Sequence, residues 1–401
     1  MFIKFILNKP YKHIIRGVVT MRRLLDYCSI SKNVVSKFEG KKKYVATGDI
    51  IENEIKSFEK VTFDNRPSRA KQIGKNGDVI FAKMKDTVKV LKISDENEEN
   101  IYSTGFFVLS PTEKINSNYL FWLLNSKKFN YEKDKRCHGA TQKALNNEDL
   151  GKILIKDIPD IEQQINISDI LEKTDNIIKD RKKQINELHE LVKSQFVEMF
   201  GTPLKNEKQY LVCSAEEICL KITDGSHYSP RNQDKGYPML SVKDMRNDGF
   251  HYENCKHISE EDFKRMQKLD CIPRIDDVLI SKDGSYFYYG FVVEKEKEEA
   301  ILSSIAMLRP NIKIINPYYL RYYMLSPEII DLVSKNYVTG AALKRVILKG
   351  IKQIPVTIPN INDQNKFAKF VKQIDKQKFE IKKSLTEMEN LYNSLMNEYF
   401  G

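Results

Sequence analysis

The sequence lacks any long hydrophobic run, since no segment approaches the roughly 20 consecutive apolar residues that a membrane-spanning helix needs. Its opening stretch, MFIKFILNKPYKHII, is apolar over too short a length to resemble an export signal. The six cysteines form no C-x-x-C pair, which argues against a disulfide framework and against a zinc ribbon. We therefore expect a cytoplasmic protein with reduced thiols, no membrane association and no metal site.

Motifs for bond chemistry are also missing. There is no G-x-x-x-x-G-K-[ST] string, so an ATP-driven motor is not encoded. The string NPYY at 316–319 resembles part of an adenine-methyltransferase motif, but it lacks the second proline and a glycine-rich partner upstream. Ser285 lacks the flanking glycines of a nucleophile elbow, and the acidic and basic residues of VVEKEKEE at 292–299 fit an exposed charged loop. We expect no catalytic residue in this chain.

Basic residues, by contrast, are abundant. The formal net charge is +11 and the pI is near 9.0, with lysines spread over the whole length. This balance suits a polyanionic partner, most often nucleic acid, although a lysine-rich composition alone is a weak indication.

The chain contains two copies of one unit. IPDIEQQINI at 158–167 corresponds to IPNINDQNKF at 358–367, and the stretches that follow close on Phe-Gly at 200–201 and at 400–401. The period of 200 residues is kept, within one residue, by Asp78-Val79 with Asp277-Val278 and by Gly139-Ala140 with Gly340-Ala341. A repeat of this length predicts two similar domains.

Each copy ends in a segment, about 161–200 and 362–400, that contains no Pro or Gly and carries apolar residues at heptad spacing. Each would form a helix about 60 Å long at ~1.5 Å per residue, too long for a compact domain to cover, so the two stripes are expected to pack on each other. Two unrelated surface helices are the alternative. The predicted seam consists of Leu171, Ile178, Ile185, Val192, Ile374, Ile381, Met388 and Leu395.

The first part of each copy has short β-prone runs between turn signals, such as GDVIFAK at 77–83 and DDVLIS at 276–281, followed by a helical segment. We therefore expect mixed α/β globules. The predicted boundaries are an N-terminal extension at 1–21, globules at 22–157 and 202–357, and long helices at 158–201 and 358–401. Met21 precedes the first copy directly, which suggests translation starting there.

Loops of the globules combine basic, small polar and aromatic residues. Lys and Arg would hold phosphates, while Ser, Asn, His and Tyr can address base edges. Any one loop could equally be solvated surface. The candidate DNA contacts are Lys41, Lys42, Lys43, Arg66, Ser68, Arg69, Lys71, Thr141 and Lys143 in the first copy, and Ser226, His227, Tyr228, Arg231, Lys282, Ser285, Tyr286, Lys344 and Arg345 in the second.

The two copies match closely in their helices but differ over 39–75 and 224–270. A common frame with two different faces is what a reader of an asymmetric, two-part DNA site requires, because identical faces would read the same half-site twice.

The sequence resembles the specificity subunit of type I restriction-modification systems over essentially 22–401. The resemblance rests on GATQKALNNEDLGKILIKDIPDIEQQ at 139–164, its weaker echo GAALKRVILKGIKQIPVTIPNINDQ at 340–364, and DGSHYSP followed by YPMLSVKDM at 237–245. NINDQ departs from the usual acidic EQ turn, and the first copy has no DGSHYSP equivalent, which makes its base-reading loops harder to place.

The resemblance implies an α+β architecture of two pseudo-symmetric mixed α/β target-recognition domains joined by two long antiparallel helices, an intramolecular coiled coil. It also implies a non-catalytic role: the chain would bind a bipartite site in double-stranded DNA, and the helices would set the unread gap. The implied partners are two modification subunits, which methylate adenine-N6 with S-adenosylmethionine, and two restriction subunits that use ATP and Mg. Ile170, Ile177 and Leu191 could dock the modification subunits, or could equally belong to a solvated or purely intramolecular seam.

Two other functions are compatible with parts of the sequence. One is a fused methyltransferase-nuclease fragment, which methylation by the purified chain alone would reveal. The other is a coiled-coil adaptor with no DNA role, which a duplex-binding assay would separate from a DNA reader.

Overall fold

The computed structural model describes residues 20–340 and 344–401; the predicted N-terminal extension lies outside the described residues, apart from its last two. The α-helices, numbered α1 to α10 within these residues, are Ser117–Asn125, Lys127–Lys135, Asn147–Leu150, Ile161–Phe200, Ala215–Ile218, Glu260–Lys268, Pro317–Met324, Pro327–Asn336, Leu348–Lys352 and Ile361–Phe400. The strands, numbered β1 to β25, are Met21–Arg23, Cys28–Ile30, Lys42–Val45, Ile50–Ile51, Glu54–Ile55, Glu59–Val61, Ala70–Gln72, Val79–Ala82, Val90–Lys92, Ile101–Ser103, Phe106–Pro111, Leu154–Lys156, Leu211–Ser214, Cys219–Asp224, Tyr237–Leu240, Met245–Arg246, Gly249–Phe250, Lys256–Ile258, Val278–Ser281, Gly290–Val292, Ala300–Ile301, Ile305–Pro310, Val338–Thr339, Arg345–Val346 and Pro355–Ile358. Short 3-10 turns lie at Leu24–Asp26, Thr47–Asp49 and Val242–Asp244.

The chain divides into two compact units. Unit 1 comprises residues up to Arg181 together with Ser384–Gly401, and unit 2 comprises Lys182–Lys383. The predicted boundaries treat each long helix as a separate element, whereas each compact unit includes part of both helices.

The two units repeat the same main sheet. Unit 1 contains an antiparallel four-stranded sheet in the order β2-β11-β8-β9, and unit 2 contains one in the order β14-β22-β19-β20. Each unit also has a smaller sheet, with fewer residues in its strands, built on one parallel pair: β3 with β10 in a four-stranded sheet of unit 1, and β15 with β21 in a three-stranded sheet of unit 2. This repetition, with the long helices, confirms the predicted fold class.

A buried strand forms the centre of each larger sheet. Every residue of β8 and of β19 is buried, as their run of apolar side chains predicts. The aspartate before each strand holds the preceding turn: Asp78 accepts a hydrogen bond from the Lys75 backbone amide at 2.9 Å, and Asp277 accepts one from the Arg274 amide at 2.8 Å. The repeated Asp-Val pair therefore marks, once in each unit, the junction between a turn and the buried strand that follows it.

The long helices α4 and α10 begin directly after Pro159-Asp160 and Pro359-Asn360, as the prolines predict. A buried glutamine ties the first turn of each helix to the globule. The side-chain oxygen of Gln164 accepts from the Asn116 amide at 2.8 Å, and its amide nitrogen donates to the carbonyls of Lys114 and Pro159. Gln364 repeats the arrangement with Asn316, Ile314 and Pro359. Gln364 thus preserves the same contact although its sequence context, NINDQ, differs.

We predict that Gln164→Leu and Gln364→Leu each lower the free energy of unfolding by about 2–4 kcal/mol, because each leaves a buried amide and two carbonyls without partners. Chemical denaturation of the full chain would measure this. As a control, Gln163→Leu changes an exposed neighbour on the same turn and is expected to shift stability by less than about 0.5 kcal/mol. Equal effects at 163 and 164 would contradict this role for the buried glutamines.

The helix ends explain the repeated Phe-Gly. The ring of Phe200 meets that of Tyr319 in unit 2 with centroids 4.8 Å apart, and Phe400 meets Tyr119 in unit 1 at 5.1 Å. Gly201 follows with a φ of 79°, a left-handed conformation that glycine adopts easily at a helix C-terminus.

Within each unit the two long helices run antiparallel. In unit 1, Leu171 near the start of α4 shares a hydrophobic core with Leu395 and Phe400 near the end of α10. In unit 2, Val192 and Phe196 near the end of α4 share a core with Phe367 near the start of α10. The start of one helix therefore packs beside the end of the other, as expected for an antiparallel pair.

The predicted seam is buried to different degrees. Leu171, Ile178, Val192, Ile374, Met388 and Leu395 are buried, while Ile185 and Ile381 are half-buried. In unit 2 a polar contact also lies between the helices, where the Lys378 ammonium is 3.4 Å from His189 Nδ1 and 3.1 Å from an Asp375 carboxylate oxygen. Burial lowers the pKa of Lys378, and burial together with the adjacent lysine lowers the pKa of His189.

A hairpin in each unit contacts a long helix through an ion pair. Glu54, at the β4–β5 hairpin, lies 3.1 Å from the Lys179 ammonium on α4. Hydrogen bonds from Lys56 and Lys179 lower the pKa of Glu54. In unit 2, Asp248 at the β16–β17 hairpin pairs with Lys382 on α10. Each globule is thus joined to a long helix at a second point, away from the buried glutamine.

Candidate nucleic-acid interface

Three of the predicted loops in unit 2 meet at one place. The loop after β14, the loop after β19 and the β23–β24 hairpin are joined by ion pairs: Lys282 to Asp224 at 3.4 Å, Lys282 to Asp283 at 3.2 Å, and Arg345 to Asp283 at 3.2 Å. His227 Nε2 lies 3.3 Å from the same Asp224 carboxylate. Segments far apart in sequence therefore form a single charged cluster.

The predicted residues of this cluster differ in exposure. The side chain of Lys282 is only 4% exposed and is held between two carboxylates, so it neutralises buried charge. Ser226 is also buried, and its hydroxyl donates to the Tyr228 carbonyl at 2.8 Å, so it supports the loop. His227 and Arg345 are exposed at the two ends of the cluster. These two side chains, unlike those of Lys282 and Ser226, are exposed to solvent.

The other predicted residues of unit 2 lie on the surrounding surface. Tyr228, Arg231, Ser285 and Lys344 are exposed, and the ring of Tyr228 packs 4.4 Å from the Arg265 guanidinium. Tyr286 is half-buried, with its hydroxyl 3.1 Å from that of Ser334. Arg265 on α6 is not among the predicted residues.

The loop from Ser281 to Tyr289 is held in one conformation. The buried Ser281 hydroxyl donates to the Ser285 carbonyl at 2.7 Å and accepts from the amides of Tyr288 and Tyr289. Phe287 is buried with a φ of 53°, a left-handed conformation that a bulky residue adopts only when its surroundings enforce it. Tyr288 is 66% exposed on this ordered loop. A rigid loop of this kind presents its side chains without an ordering cost on binding.

In unit 1 the predicted lysines of the first loop lie on the smaller sheet. Lys42 and Lys43 are in β3, where their ammonium groups lie 5.8 Å from the Phe38 ring centroid and 4.8 Å from that of Phe58. Lys41 beside them is exposed. β3 and β7 both pair with β10, so Lys71 on β7 belongs to the same sheet.

The loop before β7 is organised by Arg66. Its guanidinium lies 3.8 Å from the Phe63 ring centroid and donates to the carbonyls of Phe63 and Ala70. Part of its hydrogen-bonding capacity therefore serves the loop itself. The neighbouring Ser68 and Arg69 are exposed.

The backbone around the unit 2 cluster is repeated in unit 1. The Leu145 amide donates to the Lys83 carbonyl at 2.9 Å, as the Val346 amide does to the Lys282 carbonyl at 3.1 Å. Thr141 and Lys143 are exposed in the turn before Leu145. Lys83 and the exposed Lys85 are not among the predicted residues, although the repeat pairs Lys83 with Lys282. Burial lowers the pKa of Lys83, whose ammonium lies 4.3 Å from the Phe107 ring centroid.

The long helices of unit 2 border an apolar groove of about 740 Å³. It is lined by Leu188 and Leu191 of α4 and by Ile381 of α10, among polar neighbours. Leu191 is 46% exposed. Among residues 20–340 and 344–401 we find no group of three or more His, Cys, Asp or Glu side chains that could hold a metal ion, and no helix apolar and long enough to cross a membrane.

Comparison with known proteins adds independent findings. The family model described as the type I restriction modification DNA specificity domain matches the chain twice, over 20–190 and 214–389. The putative type I restriction enzyme MjaX specificity subunit of Methanocaldococcus jannaschii is 24% identical over 345 residues, which cover 79% of this chain and 77% of that protein. The type I restriction enzyme EcoBI specificity subunit of Escherichia coli is 24% identical over 172 residues, which cover 41% of this chain and 35% of that protein.

Solved structures are similar in fold. The S subunit of a type I restriction-modification system from M. genitalium has a TM-score of 0.61 at 14% identity, with 96% of this chain and 97% of that chain covered. A chain solved in work on the complex assembly and conformational transition of the type I R-M system has a TM-score of 0.57 at 20% identity, with 96% and 99% covered.

Proposed function

Because this chain belongs to the type I restriction modification DNA specificity family, we propose that it is the subunit that selects the DNA sequence on which such a system acts. The proposed target is a bipartite, asymmetric site in double-stranded DNA, with each unit reading one half. The long helices α4 and α10 set the unread gap. The chain itself makes and breaks no bonds.

One comparison within the molecule carries this proposal. The two units share a backbone frame at equivalent positions, yet the side chains on it differ: the bridge between Met84 and Ala144 in unit 1 corresponds to the bridge between Asp283 and Arg345 in unit 2. The apolar pair in unit 1 and the ion pair in unit 2 occupy equivalent backbone positions and would favour different bases there. Two unlike readers on one scaffold suit a site whose halves differ.

Partner subunits would supply the chemistry. Two modification subunits would methylate adenine-N6 with S-adenosylmethionine, and two restriction subunits would use ATP and Mg to translocate and cut DNA. The apolar groove beside Leu191, and the half-buried Ile170 and Ile177 on α4, are the surfaces that we propose for docking the modification subunits. Such a complex would work in the cytoplasm, where the DNA lies.

Mapping of N6-methyladenine in the host genome, with and without this gene, tests the function. The expected result is one bipartite methylated motif that disappears with the gene. Purified chain should also retard duplexes that carry this motif and should not methylate them alone. A motif that persists without the gene, or methylation by the purified chain, would contradict the proposed role.

Equivalent lysines in the two units allow a matched test of backbone contacts. Lys143 and Lys344 are exposed. Their backbone carbonyls accept equivalent hydrogen bonds, from the backbone amide of Lys85 at 2.9 Å and from that of Gly284 at 2.8 Å. We predict that Lys143→Gln and Lys344→Gln each weaken binding to all sequences and reduce the slope of log K against log salt by about 0.9, the value for one phosphate contact. Binding titrations at several salt concentrations measure this, and the two effects should add. A selective loss at one base pair would instead indicate base contact.

A further inference from the structure

The ionic side chains in the charged cluster of unit 2 form a single chain of contacts. Positive and negative groups alternate from Arg345 through Asp283 and Lys282 to Asp224, and the Asp224 carboxylate lies 3.3 Å from His227 Nε2. The three inner side chains are nearly enclosed, with 8%, 4% and 10% exposure, while Arg345 is 50% exposed. Burying three charged groups is costly unless they are mutually paired, so this inner group forms a stiff support for the exposed ends.

The backbone of Arg345 is fixed as well. It pairs with Thr339 in the β23–β24 hairpin and with Asp283 in the neighbouring loop. Asp283 in turn follows the ordered start of the loop that the Ser281 hydroxyl organises. The backbone position from which the Arg345 side chain extends is therefore set before any ligand arrives.

The ion pair with Asp283 also determines which nitrogen atoms of the Arg345 guanidinium remain to donate hydrogen bonds to a ligand. It is the Nε atom of Arg345 that lies 3.2 Å from the Asp283 carboxylate. Among the described residues we find no other ionic partner of this guanidinium. Its two Nη nitrogens therefore remain available to donate hydrogen bonds to a ligand. Two parallel donors match guanine, which presents two acceptors, O6 and N7, in the major groove, whereas adenine presents one acceptor and one donor there.

We propose that the Arg345 side chain recognises a guanine base in the half-site contacted by unit 2, and that Asp283 is the positioning residue that orients Arg345. This inference rests on the proposed function. Lys282 and Arg345 together offset the charges of Asp224 and Asp283, so these carboxylates can lie at a surface that approaches a polyanion. The apolar Met84 and Ala144 at the equivalent bridge make this reader specific to unit 2.

The test is a selection experiment in which the full chain, with its modification partners, enriches duplexes from a pool of randomised sequence. Wild type is expected to select a bipartite site with a guanine at one position. Arg345→Lys keeps the positive charge beside Asp283 but lacks the rigid, planar pair of Nη donors, so the preference for that guanine should fall by about tenfold or more while other positions are unchanged. Thermal unfolding of the variant checks that the fold is retained.

Asp283→Asn distinguishes positioning from simple electrostatics. Loss of a negative charge near DNA would by itself strengthen binding to every sequence, whereas loss of positioning lowers the preference at the same guanine as Arg345→Lys. If Asp283→Asn unfolds the buried cluster, Arg345→Lys still decides the question, because it leaves the three inner groups intact. Lys344→Gln is the matched control, with uniform weakening and no change in preference.

Unchanged base preference in Arg345→Lys, or loss of preference spread over all positions, would overturn the assignment while leaving the proposed function intact. A wild-type complex that selects no sequence would overturn both.

Discussion

Replacing Phe367 with alanine is expected to lower the free energy of unfolding by about 3–5 kcal/mol, the usual cost of removing a fully buried phenylalanine. Phe367 has no exposed surface and makes edge-to-face contacts with three aromatic rings: Phe196 at 5.4 Å, Phe200 at 5.6 Å and Tyr322 at 5.4 Å between centroids. The cavity left by alanine would lie where α4, α10 and α7 meet, so loss of packing should loosen the helix pair in unit 2.

Denaturant titration of the full chain, followed by circular dichroism, measures the effect as a lower transition midpoint. Phe379→Ala is the control, because this ring is on the same helix but is 65% exposed, and its loss should change stability by less than about 0.5 kcal/mol. Ile167→Ala probes the equivalent position in unit 1, where the side chain is half-buried, and should cost less than Phe367→Ala. Equal effects of Phe367→Ala and Phe379→Ala would contradict this packing.

The helices were the most predictable part of the fold. Their limits follow from Pro159 and Pro359 and from the absence of Pro and Gly beyond them, because proline removes a helical hydrogen bond. The heptad pattern identified the side chains that face inward. It could not distinguish full from partial burial, since Val192 also packs against the globule whereas Ile185 does not belong to a core cluster.

Contacts between helix and globule were beyond sequence patterns. The apolar spacing of α4 does not single out Phe196 and Phe200, because their burial depends on Tyr319, which comes from α7. Gln164 and Gln364 belong to the repeated motif, but their role depends on backbone groups of the preceding loop that only the folded chain brings close.

The candidate interface was predictable as a set of loops but not residue by residue. A lysine such as Lys282 suggests an exposed charge when it is read alone. Its burial is possible because compensating charges come from Asp224 at the end of β14 and from Asp283 in the loop after β19, and that pairing is set by the sheet order. Whether the predicted residues contact DNA stays a prediction.

Inserting four residues into both long helices should shift the spacing of the recognised DNA site without altering either half. The insertions would follow Arg181 in α4 and Lys383 in α10, where the chain passes between its two compact units. Four residues lengthen a helix by about 6 Å, which is one to two base-pair steps of 3.4 Å. They also rotate the residues after the insertion by about 40° about the helix axis. Because both helices are lengthened together, the antiparallel seam can keep its pairing on either side.

The expected result is binding to, and methylation of, sites whose unread gap is one or two base pairs longer, with almost no activity on the original spacing. Selection from duplexes with gaps of every length would measure this directly. Insertion into α4 alone is the control: it shifts the α4 residues after Arg181 by four positions along α10 and should abolish assembly, because Val192 and Phe196 then no longer lie beside Phe367. If the doubly extended chain kept its original gap, or if its half-sites changed, the helices could not be what measures the distance between the two half-sites.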